Sequence, residues 1–179
     1  MESGGIGGGV FISGYPNYRA EIRRNTIARN ANDYGGGIGT ISAGLAVVRD
    51  NAIADNVGGL QGGGMWLSSF SRVSVVQNLI ARNVHGGAFV FGAVAGLRFV
   101  NNTIADNTLG SALHFTLHSS AAQAISNVLV GAPGFAAAFC DPLYESTPPQ
   151  LIANDGFTPD RPGFEGNCAS SPGTNGNIS

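Results

Sequence analysis

Hydrophobic and polar residues alternate along this chain in short segments that return at a nearly constant interval. The most regular segment reads Asn-x-Ile-Ala-x-Asn, with its isoleucine two residues after the first asparagine. Copies begin at Asn25, Asn51, Asn78 and Asn102, and a weaker fifth copy begins at Asn127. The first asparagines are therefore 26, 27, 24 and 25 residues apart. A fixed period in this range predicts stacked supersecondary units, a solenoid, rather than one globular topology.

Each repeat contains three short segments with the two-residue period of β-strands. The first segment follows a glycine run, and it predicts two inward apolar columns: Val10, Ile38, Met65, Phe89 and Leu113, then Ile12, Thr40, Leu67, Phe91 and Phe115. A second strand is predicted in segments such as 46–48. The third is the asparagine motif itself, which buries Ile27, Ile53, Ile80, Ile104 and Leu129. With no helical periodicity, this pattern predicts an all-β parallel β-helix of about five three-strand coils over residues 1–131.

The first asparagine of each motif is predicted to form an inward-facing ladder at a bend of the coil. Stacked amides hydrogen-bond one another along the axis, and asparagine tolerates the left-handed backbone of a sharp corner. The predicted ladder consists of Asn25, Asn51, Asn78, Asn102 and Asn127. Solvated turns are the alternative, but a loop asparagine would not stay in register with an isoleucine two residues later.

A second column, formed by Arg29, Asp55, Arg82 and Asp106, alternates in charge from coil to coil. Alternation avoids the repulsion of stacked like charges, and each exposed pair contributes only a few tenths of a kcal/mol. The column is therefore predicted to select the register between successive coils more than to stabilise the fold. The alternative is that its carboxylates are catalytic. Arginines above and below would keep them ionised, which suits a nucleophile and not a general acid.

The period is lost from about Ala132, where prolines become frequent, so residues 132–179 are predicted to form a loop-rich cap over the last coil. Cys140 and Cys168 are the only cysteines. A disulfide between them would contribute on the order of 3–4 kcal/mol and would indicate an oxidising compartment; two unpaired thiols are the alternative. An uncapped first coil would leave backbone groups unpaired, which predicts end-to-end self-association.

Composition excludes several classes of function. Charged residues make up 11% of the chain, all nine basic residues are arginine, and the net charge is −2. No basic stripe for nucleic acid is therefore present. No apolar run approaches the roughly 18 residues of a membrane helix, and the first residues lack the regions of a signal peptide. We expect neither nucleic-acid binding nor membrane insertion, and no signal peptide within these 179 residues.

The Asn-x-Ile-x-x-Asn motif and the glycine run that follows it, as in Gly35-Gly-Gly-Ile38, resemble the bacterial right-handed parallel β-helix repeat proteins. This is a pectate-lyase-like superfamily that includes surface passenger-type domains. The resemblance covers roughly residues 5–131 and implies a fold, not an activity. It further implies a fragment of a longer secreted bacterial protein, located outside the cell or on its surface. Related folds cleave polysaccharides on an outer sheet face with carboxylates from adjacent coils, sometimes with calcium and an arginine.

The outward positions of the first strand depart from that catalytic pattern. They read Phe11, Gly39, Trp66, Val90 and His114, without an aspartate or glutamate. Phe11, Trp66 and His114 are the candidates for ligand binding, because aromatic faces can stack on sugar rings. The alternative is that Phe11 and Trp66 are covered, either by the turn at residues 14–18 or by the rest of a longer protein.

No cofactor and no metal site are predicted. His114 and His118 lie roughly 13 Å apart along a strand, too far to share a metal ion. The catalytic residues stay unassigned, because no nucleophile elbow or triad signature accompanies a pairing of His114 with Ser68 or Thr116. The predicted function is a secreted or surface β-solenoid that serves as a rigid scaffold or as a carbohydrate-binding platform for polysaccharide. The alternative is a carbohydrate-active or other hydrolytic enzyme with its site on the outer face of the first sheet.

Overall fold

The computed structural model describes residues 4–14, 18–42, 44–68, 72–92, 96–118, 120–143 and 147–179. Within these ranges the chain forms strands and turns, and no helix long and apolar enough to cross a membrane is found there. The strands in chain order are β1 (Val10–Ser13), β2 (Arg19–Arg23), β3 (Thr26–Ala28), β4 (Ala31–Tyr34), β5 (Ile38–Ile41), β6 (Leu45–Arg49), β7 (Ala52–Ala54), β8 (Val57–Gln61), β9 (Met65–Ser68), β10 (Arg72–Val76), β11 (Leu79–Ala81), β12 (Ala88–Phe91), β13 (Arg98–Val100), β14 (Thr103–Ala105), β15 (Leu113–Thr116), β16 (Gln123–Ile125), β17 (Val128–Val130), β18 (Ala138–Cys140), β19 (Gln150–Ile152), β20 (Asp155–Phe157) and β21 (Phe164–Gly166).

Three parallel sheets run along the solenoid, and each coil contributes one strand to each sheet. The first sheet has the order β1-β5-β9-β12-β15-β18-β21, the second β2-β6-β10-β13-β16-β19 and the third β3-β7-β11-β14-β17-β20. A small fourth sheet pairs β4 with β8. Equivalent residues of successive coils lie side by side, as Ile27, Ile53 and Ile80 do. The prediction of an all-β parallel β-helix is confirmed, with about six turns.

Inward-facing columns of apolar side chains form the core. Ile53, Ile80 and Ile104 of the third sheet are fully buried, as the sequence predicts. The corresponding column of the first sheet is Val10, Ile38, Met65, Ala88, Leu113, Ala138 and Phe164. The predicted inward orientation of Phe89 and Phe91 is therefore wrong by one position.

Gly87 explains this shift of register. It occupies the position of Gly64, where an added Cβ would collide with the next coil's backbone and with an isoleucine methyl group. Only five residues separate Asn83 from Ala88, whereas nine separate Asn56 from Met65. Because the glycine run of the shorter turn contains one glycine fewer, alignment on the first glycine of the run moves the strand by one residue. Phe89 consequently lies on the outer face.

Two asparagine ladders run through the solenoid. In the predicted ladder, the backbone N–H and Nδ2 of Asn51 both donate to Oδ1 of Asn78, each at 3.0 Å. This ladder continues beyond Asn127 to Asn154 and Asn177. A second ladder, which the sequence interpretation omits, joins the last asparagines of the motifs: Asn30, Asn56, Asn83 and Asn107.

The left-handed corners belong to the residues that precede the asparagines. Asp50, before Asn51, has a φ of 57°, and Asp55, before Asn56, has a φ of 59°. The expectation that the ladder asparagine itself is left-handed is therefore wrong. The preceding residue turns the chain, and the asparagine that follows points inwards, where its amide satisfies the carbonyl groups of the neighbouring coil.

The segment predicted as a cap, 132–179, continues the solenoid. It contains β18 to β21, and each of them pairs in parallel with the preceding coil. The coils thus extend past the predicted boundary at residue 131, because alternating apolar residues persist after the motif has decayed. The predicted disulfide is present: Cys140 on β18 is bonded to Cys168, their Cα atoms are 5.4 Å apart, and both residues are fully buried.

Candidate functional site

A column of mostly aromatic side chains runs along the outer face of the first sheet. In register from coil to coil the column reads Phe11, Gly39, Trp66, Phe89, His114, Phe139 and Glu165. Equivalent outward residues on neighbouring strands lie about 4.8 Å apart. The stretch from Trp66 to Phe139 therefore forms an unbroken run of rings on one face.

Coils four to six enclose a groove of about 420 Å³ above part of this column. We call it the aromatic groove, and its floor consists of Phe89, His114 and Phe139. The imidazole centroid of His114 lies 4.5 Å from the ring centroid of Phe89 and 4.9 Å from that of Phe139. The walls are the turns before β12, β15 and β18. A concave site of this size with an aromatic lining is typical of small-ligand pockets.

One end of the aromatic groove is closed by an ion pair. Nε of Arg161 donates to Oε1 of Glu165 at 2.8 Å, and Nη2 donates to Oε2 at 3.1 Å. Nη1 of the same guanidinium donates to the Gly134 carbonyl at 2.8 Å, which ties the pair to the wall. The Arg161 side chain is 45% exposed and the Glu165 side chain 20% exposed. The groove thus offers a polar group of balanced charge beside its apolar floor.

His114 is uncharged in this environment. Burial between the two phenylalanine rings lowers the pKa of His114 to about 4, and the Asp141 carboxylate opposes this shift by raising it. Its Nε2 is buried and has no hydrogen-bond partner among the described residues. A neutral imidazole makes the floor apolar at physiological pH.

The other two histidines are held by backbone groups. Nδ1 of His85, in the groove wall, bonds the carbonyl of Gly58. Nδ1 of His118 lies 3.0 Å from the Thr147 carbonyl, and the His118 side chain is fully buried. The described part of the chain contains no group of three histidine, cysteine, aspartate or glutamate residues that is suited to a metal ion.

Carboxylates occupy the outer face near the groove, contrary to the expectation that this face lacks them. Glu165 ends the aromatic column, and Asp141 follows β18. Oδ2 of Asp141 accepts a hydrogen bond from the Thr116 hydroxyl at 3.2 Å, and Oδ1 accepts one from the Leu143 N–H at 2.9 Å. Both residues lie in the segment predicted as a cap, so the sequence interpretation did not place them on this face.

Of the predicted binding residues, the structure brings only His114 into the groove. Trp66 is partly buried and packs against Tyr34, with ring centroids 5.2 Å apart, and its Nε1 has no partner among the described residues. Phe11 is 50% exposed and is separated from Trp66 by Gly39. Residues 15–17 of the turn expected to cover them lie outside the described ranges. The three aromatic residues therefore do not form one platform.

Sequence reasoning missed Phe89, Phe139, Arg161 and Glu165. Phe89 was assigned to the core, and its predicted outward neighbour Val90 is in fact buried. A weak signal exists for Phe139 and Glu165: segments 138–140 and 164–166 each place one bulky or charged residue between two small or apolar ones, as a strand with one buried face requires.

Comparison with known proteins agrees with this architecture. The family model described as "Right handed beta helix region" matches residues 3–129. No curated protein matches the chain significantly, and no solved structure does. The family match covers more than half of the chain and coincides with the coils that carry the asparagine motif, so the chain belongs to the right-handed β-helix family.

Proposed function

We propose that this protein is a rigid β-solenoid scaffold, part of a secreted or cell-surface protein, that binds carbohydrate in the aromatic groove. The observation that carries the proposal is the groove floor, where three rings in tilted and edge-on contact lie beside a hydrogen-bonding ion pair. Sugars present apolar C–H faces and hydroxyl edges. Aromatic floors suit the faces, and charged or amide groups at the rim suit the edges.

The electrostatics of the groove favour an uncharged saccharide. His114 is neutral above pH 5 or so because burial lowers its pKa to about 4. The charge of Arg161 is balanced by Glu165 through two hydrogen bonds. No net charge therefore attracts an acidic sugar to the floor. An extended polysaccharide would lie along the column, since the groove spans strands of successive coils.

A scaffold role is supported by the rigidity of the coil stack. Both asparagine ladders connect each coil to the next through buried amide hydrogen bonds. The buried disulfide between Cys140 and Cys168 is typical of proteins from an oxidising compartment, which supports an extracellular location.

Affinity electrophoresis in gels that contain soluble neutral or acidic polysaccharides tests the proposal. We expect retardation by at least one neutral polysaccharide and its loss in Phe139→Ala, which removes a ring from the floor. Phe11→Ala is the matched control, because Phe11 lies on the same sheet face outside the groove, and it should leave the retardation unchanged. Absence of retardation by every polysaccharide, or equal loss in both variants, would contradict the proposal.

Hydrolysis of carbohydrate is the second candidate. Asp141 and Glu165 favour it, because two carboxylates from adjacent coils on one face meet the first requirement of a glycosidase. Carbohydrate binding without cleavage is preferred, since both oxygens of Glu165 are already bonded to Arg161. Release of reducing ends by the wild-type protein, abolished in Asp141→Asn and Glu165→Gln, would instead support the enzyme.

A further inference from the structure

The alternating charges lie at one corner of the solenoid, directly after the strands of the third sheet. Arg29, Asp55, Arg82 and Asp106 all have left-handed backbones, with φ between 54° and 60°, and all four are exposed. Within the chain, Nε and Nη2 of Arg82 donate to the two carboxylate oxygens of Asp55 at 2.9 and 3.0 Å. We call this row of four residues the charged corner.

The order of charges in the charged corner is self-complementary. Read from the first coil it is positive, negative, positive, negative, and read backwards it is the opposite at every position. A two-fold axis along the strand direction, between the coils of Asp55 and Arg82, places Arg29 opposite Asp106 of a second copy. The same axis places Asp55 opposite Arg82 of that copy. Every facing pair is then attractive.

We propose that the charged corner is an interface through which two copies of this chain associate side by side in antiparallel orientation. This interface does not involve the aromatic groove and goes beyond the proposed binding of carbohydrate.

Exposed apolar residues flank the charged corner where such an interface needs them. Leu79 is 44% exposed on the side of the third sheet, and Val57 is 41% exposed on the other side. Leu79 is in register with Ala52, and Val57 with Val84. The two-fold axis therefore places Leu79 against Ala52 of the second copy, and Val57 against Val84. Two apolar contacts thus border the central charge pairs, which is the reverse of the apolar core and polar rim of a stable interface and fits a weak association.

The second sheet does not share this symmetry. Arg23 lies in register with Arg49, so a two-fold axis between these two strands would oppose arginine to arginine. The charged corner is thus better suited than this sheet to accept a second copy.

The expected dimer is weak and reversible. The interface is about 19 Å high along the solenoid axis, because it spans four coils spaced about 4.8 Å apart. Its width is one strand and the adjoining corner, about 16 Å, so each face measures on the order of 300 Å². Stable interfaces bury about 800 Å² per partner. Exposed charge pairs add little affinity but set orientation. We therefore expect association that depends on concentration and weakens as salt is raised.

Sedimentation velocity over a range of protein and salt concentrations, with four charge variants, tests the proposal. In Arg82→Asp the new aspartate faces Asp55 of the second copy, on either side of the axis. Because these like charges repel, we expect the dimer dissociation constant to be about tenfold or more above that of the wild type. The double variants Arg29→Asp/Arg82→Asp and Asp55→Arg/Asp106→Arg carry single-sign corners. Each should be monomeric alone, and their mixture should form a heterodimer. The quadruple exchange of all four charges keeps the alternation and should still dimerise.

Arg98→Asp is the control, because Arg98 is exposed on the second sheet and pairs with Gln123, away from the corner. It should dimerise like the wild type. Thermal unfolding of each variant separates loss of folding from loss of association. A wild-type protein that stays monomeric at all concentrations overturns the proposal. If the charge variants associate as strongly as the wild type, the proposal is also overturned, and the end-to-end contact expected from an open first coil is favoured instead.

Discussion

The rings of His114 and Phe139 lie nearly perpendicular on the outer face of the first sheet, with an interplanar angle of 87° and centroids 4.9 Å apart. The two residues are paired in register between β15 and β18. This contact exists because β18 extends the first sheet into the segment predicted as a cap. It gives the aromatic groove its floor and buries the imidazole, so the groove and the titration of His114 have one physical origin.

The pH dependence of stability should report this burial. The pKa of His114 is about 4 in the folded protein, against about 6.5 in the unfolded chain. Between these values the unfolded state binds more protons, so stability should fall as the pH drops from about 6.5 to 4, by up to about 3 kcal/mol. Urea unfolding at pH 7 and pH 5 measures the loss. His114→Phe keeps a ring of similar size and should reduce the loss of stability between pH 7 and pH 5. An unchanged pH dependence in that variant would show that His114 is not its cause.

Substitution of Ile80 by aspartate should unfold the middle of the solenoid. Ile80 is fully buried between Ile53 and Ile104, and an unpaired carboxylate at this position costs several kcal/mol. Leu79→Asp is the neighbouring control, because Leu79 is 44% exposed and should lose less than about 1 kcal/mol. Denaturation monitored by circular dichroism compares the two, and equal stability would show that the inward assignment is wrong.

Removal of a central ladder asparagine should be costly. Nδ2 of Asn78 donates to the Val48 carbonyl at 2.9 Å and to Oδ1 of Asn102 at 3.0 Å, and the residue is almost fully buried. Asn78→Ala removes both of these bonds and also takes the Oδ1 acceptor away from the N–H and Nδ2 of Asn51, so it should destabilise by about 2–4 kcal/mol. Asn25→Ala, at the exposed start of the same ladder, should cost less than about 1 kcal/mol. The urea unfolding midpoints of the two variants measure both losses of stability. Similar losses in the two variants would argue against the ladder as a stabilising element.

Loss of the disulfide should weaken the C-terminal coil. Cys140 and Cys168 are 28 residues apart, and closure of a loop of that length is worth about 3–4 kcal/mol in the chain-entropy model. The double variant Cys140→Ala/Cys168→Ala should therefore unfold at lower urea concentration. Addition of a reductant should shift the wild type towards this variant and leave the variant unchanged. A reductant effect of equal size on both proteins would indicate another cause.

Much of the solenoid follows from local sequence. Ile27, Ile53, Ile80 and Ile104 recur with an asparagine two residues before them, and in a strand this spacing puts both side chains on the inner face. Period, strand number per coil and the first ladder can therefore be predicted without a structure. Phe89 shows the limit of this reasoning, because its orientation depends on which glycine fits against the next coil, a contact with residues far along the chain.

By itself, the sequence determined the parallel β-helix, its inward isoleucines, its asparagine ladder and the pairing partners of its two cysteines, since each depends on a repeated local pattern or on simple counting. Only the tertiary structure decided that Phe89, His114, Phe139 and Glu165 share one column. The asparagine motif is intact on both sides of Phe89, but it is weaker from Asn127 onwards and does not reach Phe139 or Glu165. The alignment of the four residues depends on turn length and on close packing between coils, neither of which leaves a periodic trace in the sequence.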